Sequence, residues 1–426
     1  MLQNTVVVSN DNNGVLSGLA GNFPHTPEDM RAYLKSQGYP MKANANAPVK
    51  SATLCGVADD FKLPQILKAS FAADWDIPAG FPASISLEGI FNKDINAVYA
   101  RNLNLHNYKD FIRFYGADQR LNYRWGDAVI GENSPLLYDN VTGGAMLLCN
   151  TKYGYSWSFA ATASLEPVRN LKLEVSYIRQ DSKAVSDMVG SSLYSTWKNT
   201  ASINDPNEEV SRSSAYVMPH RVLAALTYSI SHGKRFATAV GLFYTGSNTG
   251  RYSYMCNNDM NGDGVVNDLI YIPASKDEVI FVDNGQYSAE QQQDAFWDFV
   301  CNDKYLSRHK GGYAGANDAL MPWLNRFDIR VAETFRIGSG SNEHKIQLSV
   351  DLMNAGNLIN SKWGVCQTPT ACNDGRILNF AGTDTEGRPL YTLYSNNSGL
   401  LKNAFEPLQS TVNCWYLQLG LRYILN

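Results

Sequence analysis

Between Asp259 and Asp268 the chain reads D-M-N-G-D-G-V-V-N-D. Oxygen-bearing side chains fall at Asp259, Asn261 and Asp263, followed at once by Gly264. This is the spacing with which the first half of an EF-hand loop aims hard oxygen ligands at one cation. Val265 would add its backbone carbonyl and Asn267 a direct or water-bridged contact. Position twelve of such a loop is Ile270, so the bidentate glutamate is missing, and Asp268 or a distant residue must replace it. The expected cation is calcium, bound weakly. The competing reading is an Asn/Asp/Gly-rich turn that holds no ion, because these residues also close turns through their own side chains. Around this motif lie Tyr252, Tyr254, Tyr271, Tyr287, Trp297, Tyr305 and Tyr313. They could stack on a sugar or grip a peptide, but packing a small core of their own is the expected role. Ser288–Val300 reads as a surface helix, with Ser288 and Gln291 at capping-box spacing and Phe296, Phe299 and Val300 on one side. No H-E-x-x-H, G-x-S-x-G or P-loop occurs, and the six His are dispersed. The chain is therefore not expected to be an enzyme.

The elements that must carry this loop are strands. Nine segments of roughly ten residues alternate apolar and polar positions: Leu67–Ile77, Ala83–Ile95, Gly154–Leu165, Asn170–Gln180, Pro219–Ile230, Phe236–Gly246, Pro322–Arg336, His344–Asn354 and Cys414–Asn426. Soluble strands are usually about 5–6 residues long, whereas a tilted strand needs about 9–11 to cross a bilayer. The connections strengthen the case. Those at Pro78–Pro82, Glu166–Asn170, Ser231–Arg235 and Ile337–Glu343 are short, and those at about 96–153, 181–218, 247–321 and 355–410 are long. Strict alternation of short and long matches the periplasmic turns and extracellular loops of an outer-membrane barrel.

Composition agrees. Aromatics are 12% of residues and charged residues only 18%, against about 25% in typical soluble domains. A net charge of −4 argues against a nucleic-acid partner. No apolar run is long enough for a transmembrane helix, so a membrane route would have to be a closed barrel. Ten charged residues, Lys68, Asp74, Glu88, Glu174, Arg221, Asp328, Arg330, Lys345, Asp351 and Arg422, share the polar parity of their strands. Glu333 does not, which calls for a bulge or a position near the interface. The seven Cys show no repeating spacing. Cys366 with Cys372, or Cys256 with Cys301, could pair, but unpaired thiols are the expected state.

The last strand reads C-W-Y-L-Q-L-G-L-R-Y-I-L-N. Gln418, Gly420, Tyr423 and Leu425 resemble the C-terminal signal by which outer-membrane barrels are recognised for insertion. Its end should then be periplasmic. This sets alternate directions for the other strands and leaves the first and last pointing the same way. A closed antiparallel barrel needs an even number, so further strands are expected outside this set. Residues 1–65 read as a loop region, including N-D-N-N-G, Phe23-Pro24 and a helix candidate at Thr26–Gln37 capped by Thr26. Residues 66–426 read as the barrel portion. The N-terminus lacks the features of a signal peptide, so a piece of a longer chain is expected.

At Leu324–Trp363 the run L-N-R-F-D-I-R-V-A-E-T-F, then H-K-I-Q-L-S-V-D-L-M-N-A-G-N-L-I-N-S-K-W-G, resembles TonB-dependent outer-membrane receptors of the Bacteroidetes. The closest likeness is to Oar-like members, related to the SusC/RagA group. G-I-F-N-K-D-I-N-A-V at Gly89–Val98, Pro219-His220-Arg221 and N-G-D-G-V-V-N-D-L-I-Y-I-P at Asn261–Pro273 add to it, so that it spans most of residues 64–426. The resemblance implies an all-β chain: a partial antiparallel transmembrane β-barrel, with about nine long strands of a roughly 22-stranded plugged type. It also implies import of a nutrient (an oligosaccharide, peptide or chelate) across the outer membrane of a Gram-negative bacterium. The implied partners are the TonB energy-coupling complex, acting through an N-terminal plug, the barrel-assembly machinery and a surface lipoprotein. A structural or adhesive barrel with a calcium-stiffened surface loop is the alternative, and a soluble β-sandwich binding module a third reading.

Overall fold

The computed structural model describes residues 26–36, 53–106, 111–126, 135–138, 141, 143–337 and 344–425. The chain is mostly β-sheet, and none of its described helices is long and apolar enough to cross a membrane. It divides into two units, residues 1–52 and 53–426. In the first, helix α1 (Pro27–Ser36) begins with a proline. Its preceding Thr26 caps it: the Thr26 Oγ1 accepts the Asp29 N–H at 3.1 Å. The N-D-N-N-G run and Phe23-Pro24 lie outside the described residues. The unit boundary falls earlier than the loop–barrel boundary near 65. Residues 54–57 explain this, because they pair in parallel with 145–148 of the second unit.

The second unit is built on nine long strands: β1 (Gln65–Asp76), β2 (Ala83–Asn102), β3 (Gly154–Val168), β4 (Leu171–Ala184), β5 (His220–His232), β6 (Phe236–Asn248), β7 (Trp323–Ile337), β8 (His344–Met353) and β9 (Tyr416–Leu425). Each pairs antiparallel with its neighbour in sequence, from β1 to β9. Among the described residues β1 has a ladder only with β2 and β9 only with β8. The turns follow from local chemistry. Asn170 takes a left-handed conformation (φ 69°) between β3 and β4, and Gly233 (φ 69°) does so between β5 and β6. The turn after β7 lies outside the described residues.

Two differences from the sequence reading concern boundaries and register. Pairing does not stop near residue 95. Ala97 faces Thr151 in the same register that sets Lys93 opposite Tyr155, so β2 and the strand Ala145–Thr151 carry the hairpin well past the expected strand end. Period-two apolarity fades there because Tyr99, Ala100, Asn102 and Asn104 are buried among loops. Second, no bulge lies near Glu333. β6, β7 and β8 keep unbroken register through it. Glu333 therefore stands on the apolar parity near the turn end of β7, where its carboxylate accepts the Thr238 hydroxyl at 2.6 Å.

The sheet turns large apolar side chains outward. Phe71, Trp75, Phe91, Tyr177, Leu226, Val240, Phe327, Val331, Val350 and Leu419 are all exposed and share one face, on which Trp157 and Phe159 of β3 are half-buried. Rings pair across strands on that face, Tyr244 with Phe327 and Phe236 with Phe335, each at 4.9 Å between centroids. The Phe71 ring lies over Gly89, so close that a Cβ there would sit 2.0 Å from it. The other face carries the charges: Arg330 opposes Asp351 at 3.5 Å, and Ser86 donates to Asp74 at 2.6 Å.

Candidate functional site

Above this sheet the long connections fold onto one another. A four-stranded sheet forms from Met255–Cys256, Arg376–Thr383, Pro389–Leu393 and Ile280–Phe281, drawn from the connections after β6 and after β8. Helix α2 (Leu193–Lys198) lies in the connection after β4, and helix α3 (Ala289–Asn302) packs beside the four-stranded sheet. Ser288 and Gln291 form the expected reciprocal cap, and Phe296, Phe299 and Val300 are buried. Tyr252, Tyr254 and Tyr271 are buried in the same core, with Ile270, Ile272, Leu306, Ile377 and Leu393. Most of the aromatic cluster thus packs a core of its own. Trp297 instead lies beneath the Lys310 ammonium at 4.2 Å. All seven cysteines are free thiols.

The Asp259–Asp268 loop lies at the edge of this core as a series of side-chain-closed turns. Asp259 accepts the N–H groups of Gly262 (2.6 Å) and Gly264 (3.0 Å). Asn261 Oδ1 accepts the Asp263 N–H, and Asp263 Oδ1 the Val265 N–H, both at 2.9 Å. Gly262 and Gly264 have φ of 83° and 90°, a backbone that other residues rarely adopt. Asn261, Asp263 and Asp268 are almost fully buried. Asn261 Nδ2 donates to Asp263 Oδ2 at 3.1 Å. Asp268 Oδ2 accepts the Met260 N–H at 2.9 Å, while its Oδ1 makes no hydrogen bond and sits 3.6 Å from Arg120 Nη1.

The structure brings Asp259, Asn261, Asp263 and Asp268 together. It does not add Asn267, whose amide donates to the Thr200 carbonyl at 2.8 Å and whose Oδ1 receives the Ser202 hydroxyl. Val265 buries its side chain in a second cluster with Leu105, Leu121, Tyr123, Met146 and Trp197. Burial dominates the electrostatics. It pushes the Asp263 carboxyl well above the ordinary range, and the charges of Asp268 and Asp259 push it further. Asp268 rises to about 7, chiefly through burial, with Arg120 pulling it back. Asp259 rises for the same reason, opposed by Arg124.

Three residues that sequence reasoning missed shape this site. Arg124 donates to the carbonyls of Met260 and Asp259, both at 2.5 Å. Arg120, fully buried, donates from Nε to Asp118 at 3.0 Å and from Nη2 to the Leu269 carbonyl at 2.7 Å. Asp118 also accepts the hydroxyls of Tyr313 and Tyr391, each at 2.9 Å. The alternation of R-L-N-Y-R at Arg120–Arg124 could have marked a strand, but nothing local points to partners more than a hundred residues away. No cluster of three or more His, Cys, Asp or Glu arranged to hold a metal is present among the described residues.

The residues proposed as an insertion signal all lie in β9. Gln418 faces Asp351 and Gly420 faces Ser349. A Cβ at Gly420 would meet the Ser349 Oγ at 2.5 Å, so this close approach favours glycine. Tyr423 and Leu425 point outward, and the Tyr423 hydroxyl lies 2.6 Å from His344 Nδ1. Comparison with protein-family models, characterised proteins and solved structures gives no match to this chain.

Proposed function

We propose that the nine-stranded sheet is the C-terminal part of an outer-membrane barrel of the TonB-dependent receptor type, importing an oligosaccharide, peptide or chelate. The observation that carries this reading is the apolar face that runs across the sheet, exposed in eight of its nine strands and half-buried in β3. Between β6 and β7, ring pairs lie toward both ends of that face. The Phe236–Phe335 and Tyr244–Phe327 pairs stand eight residues apart along β7, or roughly 27 Å of strand. At the usual tilt this approaches the height of an apolar band between two aromatic girdles, about 25 Å. The charged residues on the opposite face would line the lumen. The folded connections would form the outer, ligand-facing surface, and a surface lipoprotein is a proposed partner there. TonB would act through a plug, and the barrel-assembly machinery would read Gln418, Gly420, Tyr423 and Leu425. The role is binding and transport rather than catalysis.

Cell fractionation and uptake test this. The protein should be recovered in the outer membrane, and its loss should abolish import of one nutrient, with the same defect when TonB is removed. Recovery as a detergent-free soluble monomer would overturn the membrane reading. An outer-membrane protein whose loss spares all import would instead favour the structural or adhesive alternative.

One observation supports that alternative's calcium-stiffened loop. Asp263 is buried beside two further carboxylates and accepts from the Asn261 amide and the Val265 N–H. Such a carboxylate needs a proton or a cation. The fit to calcium is partial. Asp259, Asp263 and the unbonded Oδ1 of Asp268 supply hard oxygens, but Asn267 faces elsewhere. A complete shell of 6–8 oxygens would need carbonyls and water.

A further inference from the structure

We infer that the segment Asn354–Gly364, with helix α4 (Ala355–Ile359), is a lipid-docking rim. It would seat Leu358, Ile359 and Trp363 at the boundary between acyl chains and headgroups of the outer leaflet. The inference rests on the membrane reading above and adds a site to it. The segment follows β8 and packs on the outward face of the sheet. At Gly356 a Cβ would lie 3.7 Å from the Trp363 side chain and 3.9 Å from Phe327, a member of the outward aromatic row. The rim therefore begins where that row ends, on the side of the long connections.

Its asparagines tie the backbone together, as irregular chain near lipid requires, though Asn354 Oδ1 is buried without a partner. Asn354 takes a left-handed conformation (φ 54°), and its N–H donates to Asp328 at 2.6 Å. The Asn354 amide donates to the Gly364 carbonyl at 3.0 Å. The Asn357 amide spans the carbonyls of Ser361 and Trp363 at 3.1 and 3.0 Å, while its Oδ1 accepts the Trp415 N–H at 3.3 Å. With asparagines turned inward, the apolar side chains turn out. Ile359 is 79% exposed, Trp363 54% and Leu358 50%. Trp415, also exposed, continues the patch into Leu417 and Leu419 of the outward stripe. That continuity selects lipid over a protein partner as the occupant. Exposed Lys362 beside the patch suits a headgroup phosphate, and Trp363 suits the interfacial position that indole rings favour.

Tryptophan quenching by lipids brominated either high or low on the acyl chain tests the rim, with the full chain reconstituted in vesicles. Trp363→Phe should remove a component quenched at least twofold more strongly by the shallow bromines. Leu419→Trp, in the middle of the stripe, should add one quenched by the deep bromines. If Leu419→Trp is quenched but Trp363→Phe leaves shallow quenching unchanged, the rim inference fails alone. If neither probe responds, the membrane reading fails with it.

Discussion

The sheet and the folded connections above it use the same apolar residues in opposite ways. Leu419 and Leu421 in β9 are each 74% exposed, while Tyr254, Ile270 and Ile272 in the cap are 0% exposed. In the cap, burial of side chains from distant connections makes an ordinary interior, with about 1.5–3 kcal/mol for each large side chain removed from water. In the sheet no such interior forms on the outward face, and the ordering force is the backbone ladder and cross-strand ring pairs. On the membrane reading, one chain thus carries two regions suited to two solvents. Substitutions that distinguish them make the comparison testable.

The largest effect is expected in the cap. Arg120→Ala would leave Asp118 and Asp268 buried without their cation, at a cost of about 3–5 kcal/mol. Limited proteolysis should show the connections cut far sooner while the strands stay protected. Equal loss of both regions would mean that sheet and cap form one cooperative unit. Next is Val350→Arg, beside Leu419 in the middle of the outward stripe, expected to cost about 2–4 kcal/mol in a bilayer. Unfolding titrations in vesicles should register this change, with cap proteolysis unaltered. A neutral outcome in lipid would break the proposed division of solvents.

The pH response of the cap is the third. Asp263 and Asp268 hold protons more tightly folded than unfolded, since both are raised from 3.8. Their stabilising contribution is complete below that value. It is lost as pH rises, through about 7 for Asp268, and for Asp263 as pH passes its own raised value. Without calcium, the cap should therefore resist protease better at pH 5 than at pH 8. Asp263→Asn should flatten the profile, and calcium should restore resistance at pH 8 only in the native sequence. Identical cleavage with calcium and with chelator would leave the proton as the occupant. Smaller still, Gly420→Ala should destabilise β9 by about 1–3 kcal/mol through collision with Ser349, and Ser349→Gly should relieve it. Smallest is Tyr423→Phe, which removes the contact to His344, about 0.5–1.5 kcal/mol.

What was legible in the sequence follows the same division. The strands are local objects: alternation from Phe327 to Val331 or Leu417 to Leu421 shows which side chains share a face, and register supplies the rest. Helix α3 was legible because Ser288 and Gln291 advertise its start. The cap was not, because its sheet uses strands as short as two residues, too short to show a period. The Asp259–Asp268 motif was recognised, but the Asn267 side chain was drawn away by Ser202 and Thr200. Those partners come from a different connection. Glu333 was correctly singled out as a misfit. Its resolution by Thr238, across the β6–β7 ladder, depended on pairing that spacing alone does not reveal.

Asp118 joins residues that lie far apart along the chain. Its two tyrosine partners are 195 and 273 positions away. The loop-entropy cost of such spans grows only slowly with length, but contacts so distant in sequence slow folding, so this junction should form late, after β7, β8 and β9 have brought their connections into reach. A strand that fails to register would then leave the outer surface unassembled as well. The Asp118 junction makes a formed cap a report on completed strand assembly.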